Sequence, residues 1–337
     1  MAADASDERA RVLVIFPGAL GDLICLLPTL RALARRHRGT ALELMAREEL
    51  ARLAIGRIGV ARAHSIDRRE IAALFAGGTL AESAAQFFRG FARIYSFFAS
   101  GDERFRRALE EAAAPAAVSF HAFRPARPGH VAAAYLEEIG EYAGPDASLE
   151  ARIDLLDTDA TEAQQALARC GLDPARALLL FPGSGGAHKN WPLEKFVALA
   201  TALPAGLRPL AVLGPAETGM APLFATRRVA MVSGLALGAV AGLASMAAGF
   251  VGNDSGVSHL AAAAGARGVA IFGPTEPGRW RPLGRVRVLR ADSLDRLGVE
   301  SVASALAEHI GQVEFCPAPS VSHWRAPTGA HGDGRGR

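Results

Sequence analysis

Short unbroken apolar runs alternate with longer amphipathic stretches along most of this chain. Residues 12–16 (VLVIF) are apolar and mostly β-branched, and the run stops at Pro17-Gly18. Such a run predicts a strand buried on both faces of a parallel sheet. Residues 23–36 then place apolar side chains at helical spacing, with Asp22 where an N-cap is expected. The same plan returns at residues 178–181, which again end in Phe-Pro-Gly, followed by a predicted helix over 193–203. Further strands are predicted at 209–213, 249–252 and 268–272, with helices between them. The first half is less regular. It reads as a strand at 41–45, an aromatic-rich helix over 80–99 and a helix over 131–142, and a last helix of the chain is expected over 293–310.

Two strand-loop-helix units opening two halves predict an α/β protein with two Rossmann-like domains. The length of 337 residues agrees, since domains run to roughly 150 residues. The expected division is 1–155, 156–316 and a tail, 317–337, with no apolar period, which predicts disorder. Residues 144–160 read as the link, and the last helix is expected to pack back on the first half. Residues 229–253 carry no charge, which is long enough for a membrane span. They are mostly Ala and Gly, however, and are read instead as a buried helix over 237–247 leading into the strand at 249–252.

Composition narrows the function classes. The net charge is +3, and no basic run with interleaved aromatics appears, so nucleic acid is not an expected partner. Cys25, Cys170 and Cys316 are far apart and form no CxxC pair, which speaks against a zinc or redox motif and for a reducing compartment. The polar start, MAADASDERAR, lacks the basic and apolar regions of a signal peptide. A cytoplasmic location is the expectation.

The candidate chemistry lies in loops that follow strands. In Gly18-Ala19-Leu20-Gly21-Asp22, small residues allow a ligand close to the backbone, and Asp22 brings a carboxylate to the end of a strand. A plain helix cap is the other reading of Asp22. In the second half, Ser184, Gly185 and Gly186 can present backbone N–H groups to an anion, with Lys189 as a point charge; a surface turn with a solvated Lys is the alternative. Neither Walker A nor GxGxxG spacing is present. The strongest stretch is Gly252-Asn253-Asp254-Ser255-Gly256-Val257-Ser258-His259. There a strand runs into a helix start whose N–H groups and dipole favour an anion, though a cap with a core His would look the same. Glu217, after the strand at 209–213, is placed to accept from ribose hydroxyls or to be a solvated surface residue. Asp157-Thr158-Asp159 has the letters of a DxD metal pattern but precedes a helix expected at about 161, so capping is the preferred role. No His cluster has metal spacing, and no metal or cofactor is expected. The loop 121–130 (HAFRPARPGH) holds Arg124 and Arg127 and reads as a solvated basic loop or a contact for an anionic partner.

Taken together, FPGALGD, FPGSGGAHKNWPLEKF and GNDSGVSHLAAAAGARGVAIFGPTEPGRW resemble glycosyltransferase family 9, the lipopolysaccharide heptosyltransferase type, over residues 12–309. The resemblance implies a GT-B architecture, with two Rossmann-like domains facing across a cleft. It implies inverting, metal-independent transfer from a nucleotide-sugar, usually ADP-heptose, to a glycan or glycolipid acceptor. By motif position, Asp22 matches the catalytic base, with Gly18 and Gly21 in the acceptor-side loop. Lys189 and Ser184 match the donor-phosphate pocket, with Gly185 in the same loop; Asp254, Ser255, Gly256 and His259 match the diphosphate turn, and Glu217 the ribose loop. Ala187-His188 departs from the charged residues usual there, which leaves the acceptor open. A lipid-linked acceptor implies peripheral contact at the cytoplasmic face of the inner membrane, for which Phe87, Phe88 and Tyr95 are candidate exposed aromatics; core positions are the equal alternative for them. A nucleotide-sugar epimerase on the same plan and a non-catalytic nucleotide- or carbohydrate-binding protein are the alternatives.

Overall fold

The computed structural model describes residues 11–76, 82–141, 149–204 and 206–310. The expected disordered tail and Cys316 lie outside them. The first half comprises β1 (Arg11–Ile15), α1 (Leu20–Arg36), β2 (Ala41–Ala46), α2 (Glu48–Ala54), β3 (Arg62–Ser65), α3 (Arg69–Ala76), α4 (Glu82–Arg89), β4 (Arg93–Ser96), α5 (Glu103–Ala113), β5 (Ala117–Phe120) and α6 (Val131–Glu138). The second comprises α7 (Asp157–Arg169), β6 (Ala177–Phe181), α8 (Leu193–Thr201), β7 (Arg208–Leu213), α9 (Ala221–Thr226), β8 (Ala230–Ser233), α10 (Leu237–Met246), β9 (Gly249–Asn253), α11 (Gly256–Ala263), β10 (Gly268–Phe272), α12 (Pro277–Trp280), β11 (Val286–Arg290) and α13 (Val299–Ile310).

Each half is an all-parallel sheet. The strand order is β3-β2-β1-β4-β5 in the first and β11-β10-β9-β6-β7-β8 in the second. Both orders reverse once, between β1 and β4 and between β6 and β9. At such a switch point the connections leave in opposite directions and open a crevice at the carboxyl ends of the strands. The two Phe-Pro-Gly loops follow β1 and β6, so each stands at its sheet's switch point.

Alternation along the strands builds the layers. Val12 and Val14 of β1 and Leu179 and Phe181 of β6 enter one apolar cluster that runs through both halves. Leu13 and Ile15 face a separate cluster on the far side of the first sheet, and Leu178 and Leu180 one on the far side of the second. The uncharged stretch forms α10, a helix buried over nearly all its length and packed on α7. Its glycines explain the composition, since a Cβ on Gly242 would stand 2.6 Å from the backbone oxygen of Asp159. No helix among the described residues is long and apolar enough to cross a membrane.

Several boundaries differ from the sequence reading. The helix expected over 80–99 is the short α4 followed by a buried strand, β4. The last helix begins only at Val299, after a 3-10 turn over Leu294–Arg296, and packs on β10, β11 and α8 of the second half rather than on the first. Its apolar face, with Val302 and Leu306 fully buried, matches the cluster on that sheet's outer side. The helix expected near 161 starts at Asp157, and Leu156 is its N-cap. Asp159 sits three residues into the helix boundary, where it accepts the Leu156 N–H at 2.9 Å and both guanidinium arms of Arg57 at 2.6 and 2.7 Å. The linker before it is bonded to both halves, Ile153 N–H to Ala263 O and Asp154 N–H to Arg57 O. Of the three candidate aromatics, Phe88 and Tyr95 are buried, which is the core reading of the two.

Candidate active site

The carboxyl ends of the two sheets meet around a cavity of about 290 Å3. Asp22 and Arg124 line it from the first half; Gly185, Lys189, Asp254 and Ser255 line it from the second. Residues that the sequence placed in three separate motifs therefore share one space. A second cavity, of about 600 Å3, lies between α2 and the ends of β7 and β8, with Leu53, Leu213, Gly214, Leu235 and Val257 in its wall. Val257 follows Gly256 on α11, so the two cavities flank the same helix start.

On the first side, Asp22 is not the N-cap. Ala19 holds that position, and Asp22 lies in the first turn of α1, where its Oδ2 accepts the Ala19 N–H at 3.0 Å. The carboxylate is 4% exposed. Arg124 grips it with two arms, Nε to Oδ1 and Nη2 to Oδ2, both at 2.8 Å. Arg124 is thus half exposed, as a loop residue would be, but committed to Asp22 rather than free for a partner. It is also one of few non-glycine residues with positive φ, at +53°, a conformation that persists only where the surroundings impose it. Gly18 does not line the cavity. It leaves no room for a side chain between the Phe16 ring and Asp22, where a Cβ would stand 2.4 and 2.6 Å away. Gly21 lies inside α1 rather than in a loop and faces the second half: its Cβ would meet the His259 ring at 3.4 Å and Gly256 Cα at 3.5 Å.

On the second side, Lys189 closes a 3-10 turn and reaches Asp254 Oδ2 at 2.9 Å. Asp254 is 7% exposed. The Asp254 carboxylate orients Lys189 at the cavity wall. Asn253 staples the loops together, donating to Pro182 O at 2.7 Å and accepting the Trp191 N–H at 2.9 Å. Ser255 is the N-cap of α11 and makes no side-chain cap bond. The first N–H groups of a helix have no partner within it, so those at the start of α11 are available beside Lys189. Ser184 does not line the cavity; its hydroxyl donates to Gly186 O at 2.8 Å and closes its own loop. Glu217 is also outside the cavity wall. It lies against the loop after β6, where a Cβ on Gly183 would fall 2.1 Å from its Oε1, and against Gly214 of the larger cavity.

His259 lines the cavity from α11 but is 4% exposed, with Nδ1 3.7 Å from the Cys25 Sγ. Burial, opposed by the nearby Asp254 and Asp22 carboxylates, lowers its pKa to about 4. It is therefore a neutral imidazole near pH 7 and adds no cationic charge for a phosphate. Burial also pushes the Cys25 thiol up, which keeps it unreactive. Among the described residues, no three His, Cys, Asp or Glu side chains stand together as a metal site.

Sequence reasoning missed three residues. Arg124 was read as part of a basic loop, and no local signal joins it to Asp22, 102 residues away. Trp280 lines the cavity, and Arg279 beside it donates to Arg127 O at 2.7 Å and to Pro125 O. Both lie in the quoted GPTEPGRW stretch, but nothing in their spacing assigns them a partner.

Two parallel sheets facing across a cleft at their switch points define a GT-B fold. Residues 126–293 match glycosyltransferase family 9 (heptosyltransferase). No curated protein matches the chain. Among solved structures, the chain is similar to a glycosyl transferase family 9 protein from Veillonella parvula, with a TM-score of 0.75 at 20% identity over 92% of this chain and 99% of that one. It is similar to the E. coli ADP-heptose lipopolysaccharide heptosyltransferase II, with a TM-score of 0.71 at 17% identity over 89% and 98%. The E. coli heptosyltransferase WaaC with ADP gives 0.65 at 20% identity over 89% and 99%. Residues 126–293 thus carry a glycosyltransferase family 9 (heptosyltransferase) domain, and the chain is a glycosyltransferase.

Proposed function

We propose that this glycosyltransferase is inverting and metal-independent and moves heptose from ADP-heptose to a lipopolysaccharide core or related surface-glycan acceptor. The observation that carries the reading is the cavity in which Asp22 of one half faces Lys189 and the start of α11 of the other. The donor diphosphate lies against Lys189, Gly185 and the N–H groups at Ser255 and Gly256. The nucleoside extends past Gly214 into the larger cavity, with Glu217 near the ribose. As the bond from the anomeric carbon to phosphate breaks, negative charge grows on the leaving diphosphate. Preorganised N–H donors and the Lys189 ammonium stabilise that charge. Asp22 takes the proton from the attacking acceptor hydroxyl. A single displacement inverts the anomeric centre. The reaction then belongs at the cytoplasmic face of the inner membrane, where a lipid-linked acceptor is met peripherally.

A thermal-shift panel with ADP, UDP, GDP, NAD and ADP-heptose tests the donor. A ligand at ~100 times its dissociation constant adds about 2.7 kcal/mol, a rise of roughly 2–4 °C for a chain of this size. Shifts with ADP and ADP-heptose alone are expected. A shift with UDP or GDP instead overturns the donor, and no shift with any nucleotide overturns the phosphate site.

A further inference from the structure

We propose that Arg124 is a positioning residue for Asp22, and that Arg279, from the other half, transmits closure of the cleft to it. This rests on reading Asp22 as the base. A carboxylate has about four places for hydrogen-bond donors, two on each oxygen. Asp22 Oδ2 already holds the Ala19 N–H and Arg124 Nη2, while Oδ1 holds only Arg124 Nε. One place remains, on Oδ1. Arg124 therefore selects the atom that receives the acceptor proton and fixes its direction.

What holds the Arg124 loop comes from both halves: Glu138 of α6 takes its flanks, accepting the Ala122 N–H at 2.8 Å and an Arg127 arm at 3.2 Å, and the second half takes the stretch between. The left-handed backbone of Arg124 immediately precedes Pro125, and a residue before proline favours extended conformations. The loop therefore needs support from outside. Arg279 supplies it by donating to the carbonyls of Pro125 and Arg127, on either side of Ala126. His130 adds a bond to Arg281 O at 2.9 Å. With Nδ1 accepting the Ala132 N–H at 3.2 Å, Nε2 carries the proton and donates. The Trp280 ring centroid lies 5.4 Å from the Arg124 guanidinium carbon, a cation–π contact from the second half. Arg279 lines no part of the Asp22 cavity. When the halves part, Arg279, Trp280 and Arg281 leave the loop together, and Arg124 keeps only the contacts of its own half, to Asp22 directly and to Glu138 through the loop's flanks. The base is then set only around a closed cleft, which limits attack by water on a donor bound in the open state.

The test compares Arg124→Ala, Arg279→Met, their double variant and Asp22→Asn in the full chain. Turnover is read as ADP released from ADP-heptose with heptose-free lipopolysaccharide core as acceptor, and donor-site integrity as affinity for ADP. Arg124→Ala and Arg279→Met are each expected to lower kcat by about 10- to 100-fold, the scale of a misplacement near 1 Å, with ADP affinity within about twofold of the parent. Added guanidinium should restore part of the Arg124→Ala loss and none of the Arg279→Met loss. The double variant should be no slower than Arg124→Ala, because the two act through one contact. Multiplying losses, or an unchanged kcat in Arg279→Met, overturns the proposal. Should Arg279→Met not fold, Arg279→Gln, which keeps a donor, carries the same comparison and is expected to lose less. Full turnover in Asp22→Asn overturns the reading of the base instead, so the two failures are distinguishable.

Discussion

Each half of the protein presents one carboxylate paired with one cation to the same cavity, and the two pairs are built differently. Lys189 meets Asp254 through a single contact, and both residues, with the Asn253 staple that shapes their loops, belong to the second half. Arg124 meets Asp22 through two contacts, and its loop is held by Arg279 and Trp280 of the opposite half. The pair of Lys189 and Asp254 is therefore complete within one sheet and its loops, although the larger cavity beside it is walled by α2 of the first half as well. The acceptor side is complete only when both sheets are together. On the proposed roles, the diphosphate can bind first at Lys189, and the base is aimed once the cleft has closed.

The largest expected effect is on the acceptor side. Asp22→Asn should cut kcat by about 10² to 10⁴, the usual range for a lost general base, while calorimetric affinity for ADP is retained. Turnover at the parent rate would remove Asp22 from the chemistry. Lys189→Ala should weaken ADP binding and slow turnover together, each by about tenfold or more, as expected for a charge-assisted phosphate contact. Unchanged affinity in that variant would mean that Lys189 serves only to pair Asp254.

A third expectation concerns His259, which lies between the halves with Cys25, Asp22, Asp254 and His130 around it. The unfolded chain binds its proton near 6.5 and the folded chain only near 4. Between those values the unfolded state holds more protons, so stability is full above 6.5 and falls as pH drops toward 4, by about 3 kcal/mol at most. Urea midpoints measured from pH 7 to 4.5 should show this limb, and His259→Gln should flatten it. A limb of equal size in the variant would assign the effect elsewhere.

The smallest effect separates two glycines at the contact of the halves. A Cβ on Gly256 would come within 2.8 Å of Leu20 Cβ and 3.0 Å of the Gly21 backbone nitrogen, so Gly256→Ala must push the halves apart. It should destabilise by about 1–3 kcal/mol and lower turnover. A Cβ on Gly21 would meet only ordinary contacts at 3.4 Å and beyond. Since Gly weakens a helix by about 1 kcal/mol relative to Ala, Gly21→Ala should be neutral or slightly stabilising by denaturant titration. Equal losses in the two variants would mean that the interface yields from either side.

Much of the fold was legible because parallel strands are read from short, nearly continuous apolar runs, and β1, β6, β7, β9 and β10 all have them. The helix over 80–99 was misread for a definite reason. Phe87, Phe88, Phe91, Ile94 and Tyr95 fall at helical spacing, yet the first two lie in a short helix, the last two in a strand, and Phe91 between them. Gly90 lies at the break, where a Cβ would stand 2.9 Å from an Arg11 arm. Ser184 and Glu217 were placed in the site by motif, but loop closure and packing turn both away from the smaller cavity.

Residue order alone determined the strands, the paired Phe-Pro-Gly openings and the helix start at Ser255, because these depend on neighbours a few positions apart. Only the tertiary structure decided what those loops face. The two strand orders place the openings at switch points, and closure of the halves brings Arg124 to Asp22 across 102 positions and Arg279 to Arg127 across 152. Contacts of that range leave no period in a sequence, because each side chain is chosen against a partner whose distance is set by the packing of two whole sheets.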